Sequence, residues 1–173
     1  MNETTTYNKD TFETSPKFLK GKSIEQEFSD ILIREGYRVE EATKEEDMKL
    51  HVDLWATTKE NKRFGIDVKG IKFGDENRII VELKNPVGNI GWLFGQQSFV
   101  AFETEDYFVL VQRDKLCVLT AKLLIDETFL VESFDRMPLY KKLHFNKNKS
   151  ELVKLKLIDV LSIATKTFKK IPI

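Results

Sequence analysis

The order of apolar patterns along this chain predicts an α/β (α+β) fold, a central mixed β-sheet flanked by helices. Three observations carry that reading. Ile24, Phe28, Ile31 and Leu32 recur at helical spacing, whereas LHVDLWA (50–56), RFGIDVKG (63–70) and RIIVELKN (78–85) alternate with the period of a strand. No repeat and no Pro- or Gly-rich linker divides the 173 residues. The expected organisation is a flexible lead-in over 1–16, polar and rich in Thr, and a single domain over 17–173.

Each element follows from its own pattern. The helix is expected from Ser23, with Glu35 closing its apolar side and Gly36 placed to stop it. Tyr37–Val39 reads as a first strand, and the charged stretch EEATKEEDMK as a solvated loop. LHVDLWA and RFGIDVKG, separated by the polar TTKENK, read as a β-hairpin whose turn centres on Glu60. RIIVELKN supplies a third strand, followed by the glycine-rich PVGNIGWLFG. SFVAF (98–102) and DYFVLV (106–111) give two more strands around an acidic turn. A helix is expected from Asp114 to about Leu124, an extended ELVKLKL over 151–157, and a last helix over IDVLSIATKTF.

Composition narrows the function. The 28 Lys+Arg balance the 28 Asp+Glu, so the formal net charge is zero and broad attraction to nucleic acid or membrane is not built in. Acidic residues gather early (Glu40, Glu41, Glu45, Glu46, Asp47) and lysines late (Lys141 to Lys170), a distribution that reads as solvated surface. The single Cys117 excludes an internal disulfide and a cysteine-rich zinc site. No apolar run reaches the length of a membrane span, and MNETTTYNKD lacks the basic-then-apolar pattern of a signal peptide. A cytoplasmic protein without membrane partners is the expectation.

The chemistry is concentrated in the hairpin. Alternation puts His51, Asp53 and Trp55 on one face and Val52 and Leu54 on the other. On the second strand it sets Asp67 and Lys69 against Ile66 and Val68. A turn centred on Glu60 sets Asp53 opposite Asp67. Two facing carboxylates at about 4 Å repel by roughly 4 kcal/mol at an effective dielectric near 20. Two readings neutralise them: a divalent cation between the carboxylates, or Lys69 as a structural counter-ion. Mg²⁺ needs one or two protein carboxylates and keeps positions for water and phosphate oxygens. With a lysine alongside, such a site has the minimum parts for phosphodiester hydrolysis.

LHVDLW…FGIDVKG resembles the core of the PD-(D/E)XK nuclease superfamily, the restriction-endonuclease-like fold, with an acid on one strand and (D/E)-x-K on the next. KGKSIEQEF (20–28) is similar to the first-helix motif of archaeal Holliday-junction resolvases, in which a glutamate follows a glycine by four positions; here that is Glu25. VELKN…GWLFG is similar to phage-encoded members of the superfamily. The resemblance spans roughly residues 20–111 and implies Asp53, Asp67 and Glu25 as metal ligands for Mg²⁺ or Mn²⁺ and Lys69 as the catalytic lysine. It further implies a DNA substrate, branched or single-stranded forms included, in recombination or repair, and it admits a homodimer. The proline usual before the first acid is Val52 here. Two alternatives stay open: Glu27 in place of Glu25, and a second D/E-x-K, Glu82-Leu83-Lys84, in place of Asp67-Val68-Lys69. A further alternative in kind is a nuclease-like fold without catalysis, serving as a DNA-binding or protein-interaction module.

Other features are weaker. GKS at 21–23 imitates the end of a P-loop, but Pro16 stands where that motif needs glycine. His51 and His144 lack ligand spacing. His51 shares the face of Asp53 and is placed to touch substrate. Trp92 and Phe94 read as core, with base stacking the functional alternative. Gln96 and Gln97 divide evenly between phosphate contact and plain surface.

Overall fold

A computed structural model of the chain describes residues 16–71, 77–131, 137–145 and 148–170. The lead-in expected over 1–16 lies outside the described residues except for Pro16, which opens helix α1 (Pro16–Arg34). Proline suits a first helical turn, where its missing N–H costs no hydrogen bond. Ile24, Phe28, Ile31 and Leu32 are all buried, as their spacing requires, and Glu35 is exposed past the helix end. Phe28 packs its ring 4.7 Å from Phe108 and 5.5 Å from Phe168. Gly36 ends the helix at φ 90°, a conformation glycine adopts without strain.

The first sheet has six strands in the order β1 (Arg38–Glu41), β2 (Leu54–Thr57), β3 (Arg63–Lys69), β5 (Phe99–Glu103), β6 (Tyr107–Gln112) and β10 (Ala164–Lys169). Only β3 and β5 pair in parallel; every other neighbour is antiparallel. One face carries Leu54, Ala56, Ile66, Val68, Ala101, Phe108 and Leu110 against α1. The opposite face carries Val100, Phe102, Val109 and Val111 into a second core. That core is closed by helix α3 (Arg113–Leu123), the short helix α4 (Leu157–Leu161) and a second sheet. This sheet runs β4 (Arg78–Lys84), β9 (Glu151–Lys156), β8 (Lys141–Phe145) and β7 (Ile125–Val131), with β7 and β8 parallel.

The mixed α+β class, the hairpin, the β5–β6 pair and the helix after Asp114 stand as read from the sequence. Four details differ. EEATKEEDMK is not a loop throughout: helix α2 (Lys44–Leu50) forms there, started by a capping box in which Thr43 accepts from the Glu46 N–H and Glu46 accepts from the Thr43 N–H. RIIVELKN is a strand, but it joins β9 in the second sheet instead of lying beside β3. The final helix stops at Leu161; ATKTFK, with its β-branched threonines exposed and Phe168 buried, is β10. Strands β7 and β8 were invisible in the sequence, since six of the seven β7 side chains are exposed and show no alternation.

Candidate active site

The hairpin register is Thr57↔Arg63, Ala56↔Phe64, Trp55↔Gly65 and Leu54↔Ile66, and the ladder ends there, one residue short of Asp53 and Asp67. The Asp53 N–H donates to the Ile66 carbonyl at 2.9 Å, off the regular register, and brings Asp53 beside Asp67. Before Asp53 the chain leaves the strand path, because His51 caps α2 in the left-handed region at φ 55°. Strand β2 therefore ends where β3 continues, and the Val68 N–H faces no strand carbonyl. The Asp53 carboxylate takes that place, accepting from the Val68 N–H at 2.7 Å. Val52 folds over Gly65, where an added Cβ would meet its Cγ2 at 2.7 Å; the first glycine of FGIDVKG allows this close approach.

Asp67 is 2% exposed and lies level with Val100 of β5, on the face turned to the second sheet. Its Oδ1 accepts from Lys69 Nζ at 2.5 Å, while its Oδ2 is buried without a hydrogen-bond partner. Burial pushes the Asp67 carboxyl well above the usual carboxylate range; Lys69 opposes that rise, and Asp53 adds to it through charge and a shared hydrogen bond. Burial pulls Lys69 the other way, yet Asp67 and Asp53 outweigh it and the ammonium is held more firmly than usual. Lys69 Nζ also lies 5.3 Å from the centre of the buried Trp92 ring.

The surrounding groups sort the alternatives. Glu25 faces Asp53: burial raises its carboxyl, the Lys22 ammonium at 2.6 Å opposes, and the negative charges of Asp53 and Asp47 add to the rise. Glu27 points elsewhere, 3.7 Å from Lys170. Glu82 reaches the site through its charge on Lys69 and His51. Its neighbour in the second D/E-x-K does not, since Lys84 is bound to Glu151 at 2.6 Å in the other sheet. The structure thus brings Asp53, Asp67 and Lys69 together, sets Glu25 at their border, and separates Lys84 from them.

Sequence reading missed Asp47, an exposed residue of α2 whose carboxyl is raised by partial desolvation and then by the charge of Asp53. Its membership was hidden because the stretch read as a loop. His51 keeps a depressed pKa, from burial first and then from Lys69, so its ring is neutral near neutral pH. Gln97 is neither surface nor a phosphate contact: it is 1% exposed, and its Nε2 donates to the Trp92 carbonyl at 2.6 Å. Trp92 is core as read, whereas Phe94 is exposed.

A divalent cation fits the inner pair on two grounds. Asp67 Oδ2 is a buried carboxyl oxygen that no side-chain or backbone donor satisfies, and the facing donors are carboxylates, the ligands Mg²⁺ and Mn²⁺ take. Among the described residues, no group of three or more His, Cys, Asp or Glu side chains is gathered to hold a metal. Glu25 therefore stands outside the inner pair, engaged by Lys22.

No family model and no curated protein sequence matches this chain. Among solved structures, a bacterial homing endonuclease is similar at a TM-score of 0.43 and 19% identity, over 60% of this chain and 69% of that one. At that level the likeness assigns neither family nor activity.

Proposed function

We propose that this chain is a metal-dependent nuclease of the PD-(D/E)XK kind, hydrolysing DNA phosphodiester bonds with Mg²⁺ or Mn²⁺, branched and recombination or repair intermediates included. The observation that carries the reading is the pair Asp53 and Asp67 on adjacent strands, one oxygen buried and unpartnered, with Lys69 against the other. A structural counter-ion role for Lys69 engages only Asp67 Oδ1; the proton that the raised Asp67 carboxyl retains serves Oδ2 in the cation-free chain, and a cation between the carboxylates would take that proton's place.

Asp53 and Asp67 would hold the cation, which when bound supplies Lewis-acid polarisation of the phosphate and an activated water. Asp53 is fixed for this by the Val68 N–H, so its free oxygen keeps its direction. Lys69 Nζ stays protonated and acts by donating hydrogen bonds to the attacking water or to the charged phosphate oxygens. Retention of its proton favours charge stabilisation over general-base work. The neutral His51 ring, at the mouth of the pair, is placed to hydrogen-bond a neighbouring phosphate. Buried Trp92, beside Lys69, walls the site and keeps bulk water from screening these charges.

The test is incubation with linear duplex, single-stranded and branched DNA in Mg²⁺ or Mn²⁺, beside Asp67→Ala and Lys69→Ala. Cleavage by the parent chain and its loss in both variants is the expected result; cleavage surviving in both removes the site assignment. A second reading, a nuclease-like fold acting only as a binding module, is favoured by the lack of a three-ligand group among the described residues. DNA binding without cleavage of any substrate would establish it.

A further inference from the structure

The connection between β4 and β5 leaves the site at Glu82, whose charge acts on Lys69, and returns to it at Gly95, which lies against His51 and Gln97. Between these points it exposes three large apolar side chains: Val87 (69%), Ile90 (68%) and Phe94 (51%). Single exposed apolar residues are ordinary on a surface; three on one connection beside a reactive centre are not.

The connection is a built tongue. Lys84 and Ile90 form an antiparallel bridge, Asn85 donates to the Asn89 carbonyl at 2.9 Å, and the Gly88 N–H returns to the Asn85 carbonyl at 2.9 Å. Asn85 Oδ1 accepts from the Val87 and Asn89 N–H groups. At the base, Gly91 packs so tightly on β4 that an added Cβ would meet the Glu82 carbonyl oxygen at 2.4 Å. Buried Trp92 and Leu93 anchor the return, and Phe94 projects from between them and Gly95. A cation accompanies the tip: the Lys149 N–H donates to the Pro86 carbonyl at 3.0 Å, and its side chain lies along Gly88.

From this we infer that the tongue is a wedge, which inserts Val87, Ile90 and Phe94 between stacked bases beside the phosphate that a cation at Asp53 and Asp67 would engage. A rigid apolar tip with a lysine beside it matches what the interior of a duplex offers, apolar base faces edged by phosphates. Rigidity matters, because a flexible loop would lose in ordering what it gains in stacking. The wedge rests on the proposed nuclease reading and adds to it that the strand is opened at the cut, so that flexible or imperfectly paired steps are preferred.

The test uses a duplex of about 20 base pairs carrying 2-aminopurine, whose emission rises when its neighbours unstack. Ca²⁺ replaces Mg²⁺ to supply a hard cation for the carboxylates. Anisotropy reports binding in the same titration. The full chain should raise emission severalfold on binding. Phe94→Ser and the double variant Val87→Ser, Ile90→Ser should still bind, at weaker affinity, and lose most of the rise. Binding with unchanged emission in the parent chain, or a rise that survives in the variants, overturns the wedge and leaves the nuclease reading standing. Absence of binding to any DNA overturns both. If sedimentation shows a dimer that these variants abolish, the tip is a protein contact and the wedge falls.

Discussion

Replacement of Asp67 by asparagine separates the two ways its carboxylate can be neutralised. At a separation of roughly 5 Å and an effective dielectric near 20, Asp53 and Asp67, both ionised, would repel by about 3 kcal/mol. Lys69 offsets part of this, yet the net environment still disfavours the charged form of Asp67. An amide of the same shape keeps an acceptor for Lys69 and turns a donor toward Asp53, in place of the unpartnered oxygen. Asp67→Asn should therefore stabilise the cation-free chain at neutral pH by about 2 kcal/mol, which for a domain of this size raises Tm by about 4–8 °C. With Mn²⁺ at about 100 times its Kd the parent chain should gain about 2.7 kcal/mol, and the variant little. The assay is thermal unfolding by circular dichroism in EDTA and in Mn²⁺. A clear fall in Tm of the variant in EDTA would mean that Asp67 serves Lys69 as a structural counter-ion, and the cation site would be refuted. An undiminished Mn²⁺ shift in the variant would place any bound cation elsewhere.

The raised Asp67 carboxyl also sets a pH dependence. The folded chain holds that proton above the ordinary aspartate range, so its contribution is complete below about pH 4 and is lost as pH rises through the folded value. Urea midpoints should accordingly show the advantage of Asp67→Asn growing from about pH 4 to about pH 8; a constant difference contradicts the shift. Lys69→Met, which keeps the stem against Trp92 and removes the charge, should lower the cleavage rate by about 10²–10⁴-fold. A much smaller loss, measured in single-turnover assays at saturating Mg²⁺, would remove Lys69 from the chemistry. Two glycines should respond in opposite directions, read from urea midpoints. Gly21→Ala, in α1 with nothing within 4 Å of the new methyl, should stabilise by about 0.5–1 kcal/mol. Gly91→Ala, driven into the β4 backbone, should cost about 1–3 kcal/mol and displace the tongue. Phe28→Ala should cost about 3–5 kcal/mol, since its ring touches Phe108 and Phe168 at the centre of the α1 core.

Much of this architecture was legible from local pattern, because helices and strands bury one face and the period of the apolar residues reveals it. The four buried apolar residues described in α1, the register of the β2–β3 hairpin and the β5–β6 pair all follow from such spacing. The capping box of α2 was present in the letters, Thr43 followed by Glu46, but no apolar face marked the segment, and none of its residues is buried. Pairing partners were less legible. The alternation of RIIVELKN says that it is a strand and nothing about which strand it joins; β9 lies about 70 residues away in sequence.

By itself the sequence determined that Asp53, Asp67 and Lys69 lie close together at one end of the hairpin, since a two-residue period and a short turn leave little freedom. Only the tertiary structure chose among the remaining carboxylates. It turned Glu25 toward Asp53 and Glu27 toward Lys170, and it gave Lys84 to Glu151 while leaving Glu82 near Lys69. It also buried the Asp67 carboxyl, by closing the second sheet and Trp92 over a face that the pattern of β3 alone would have left to water. The physical reason is range. Periodicity is set by neighbours along the chain, whereas desolvation and charge are set by whatever the fold brings across space.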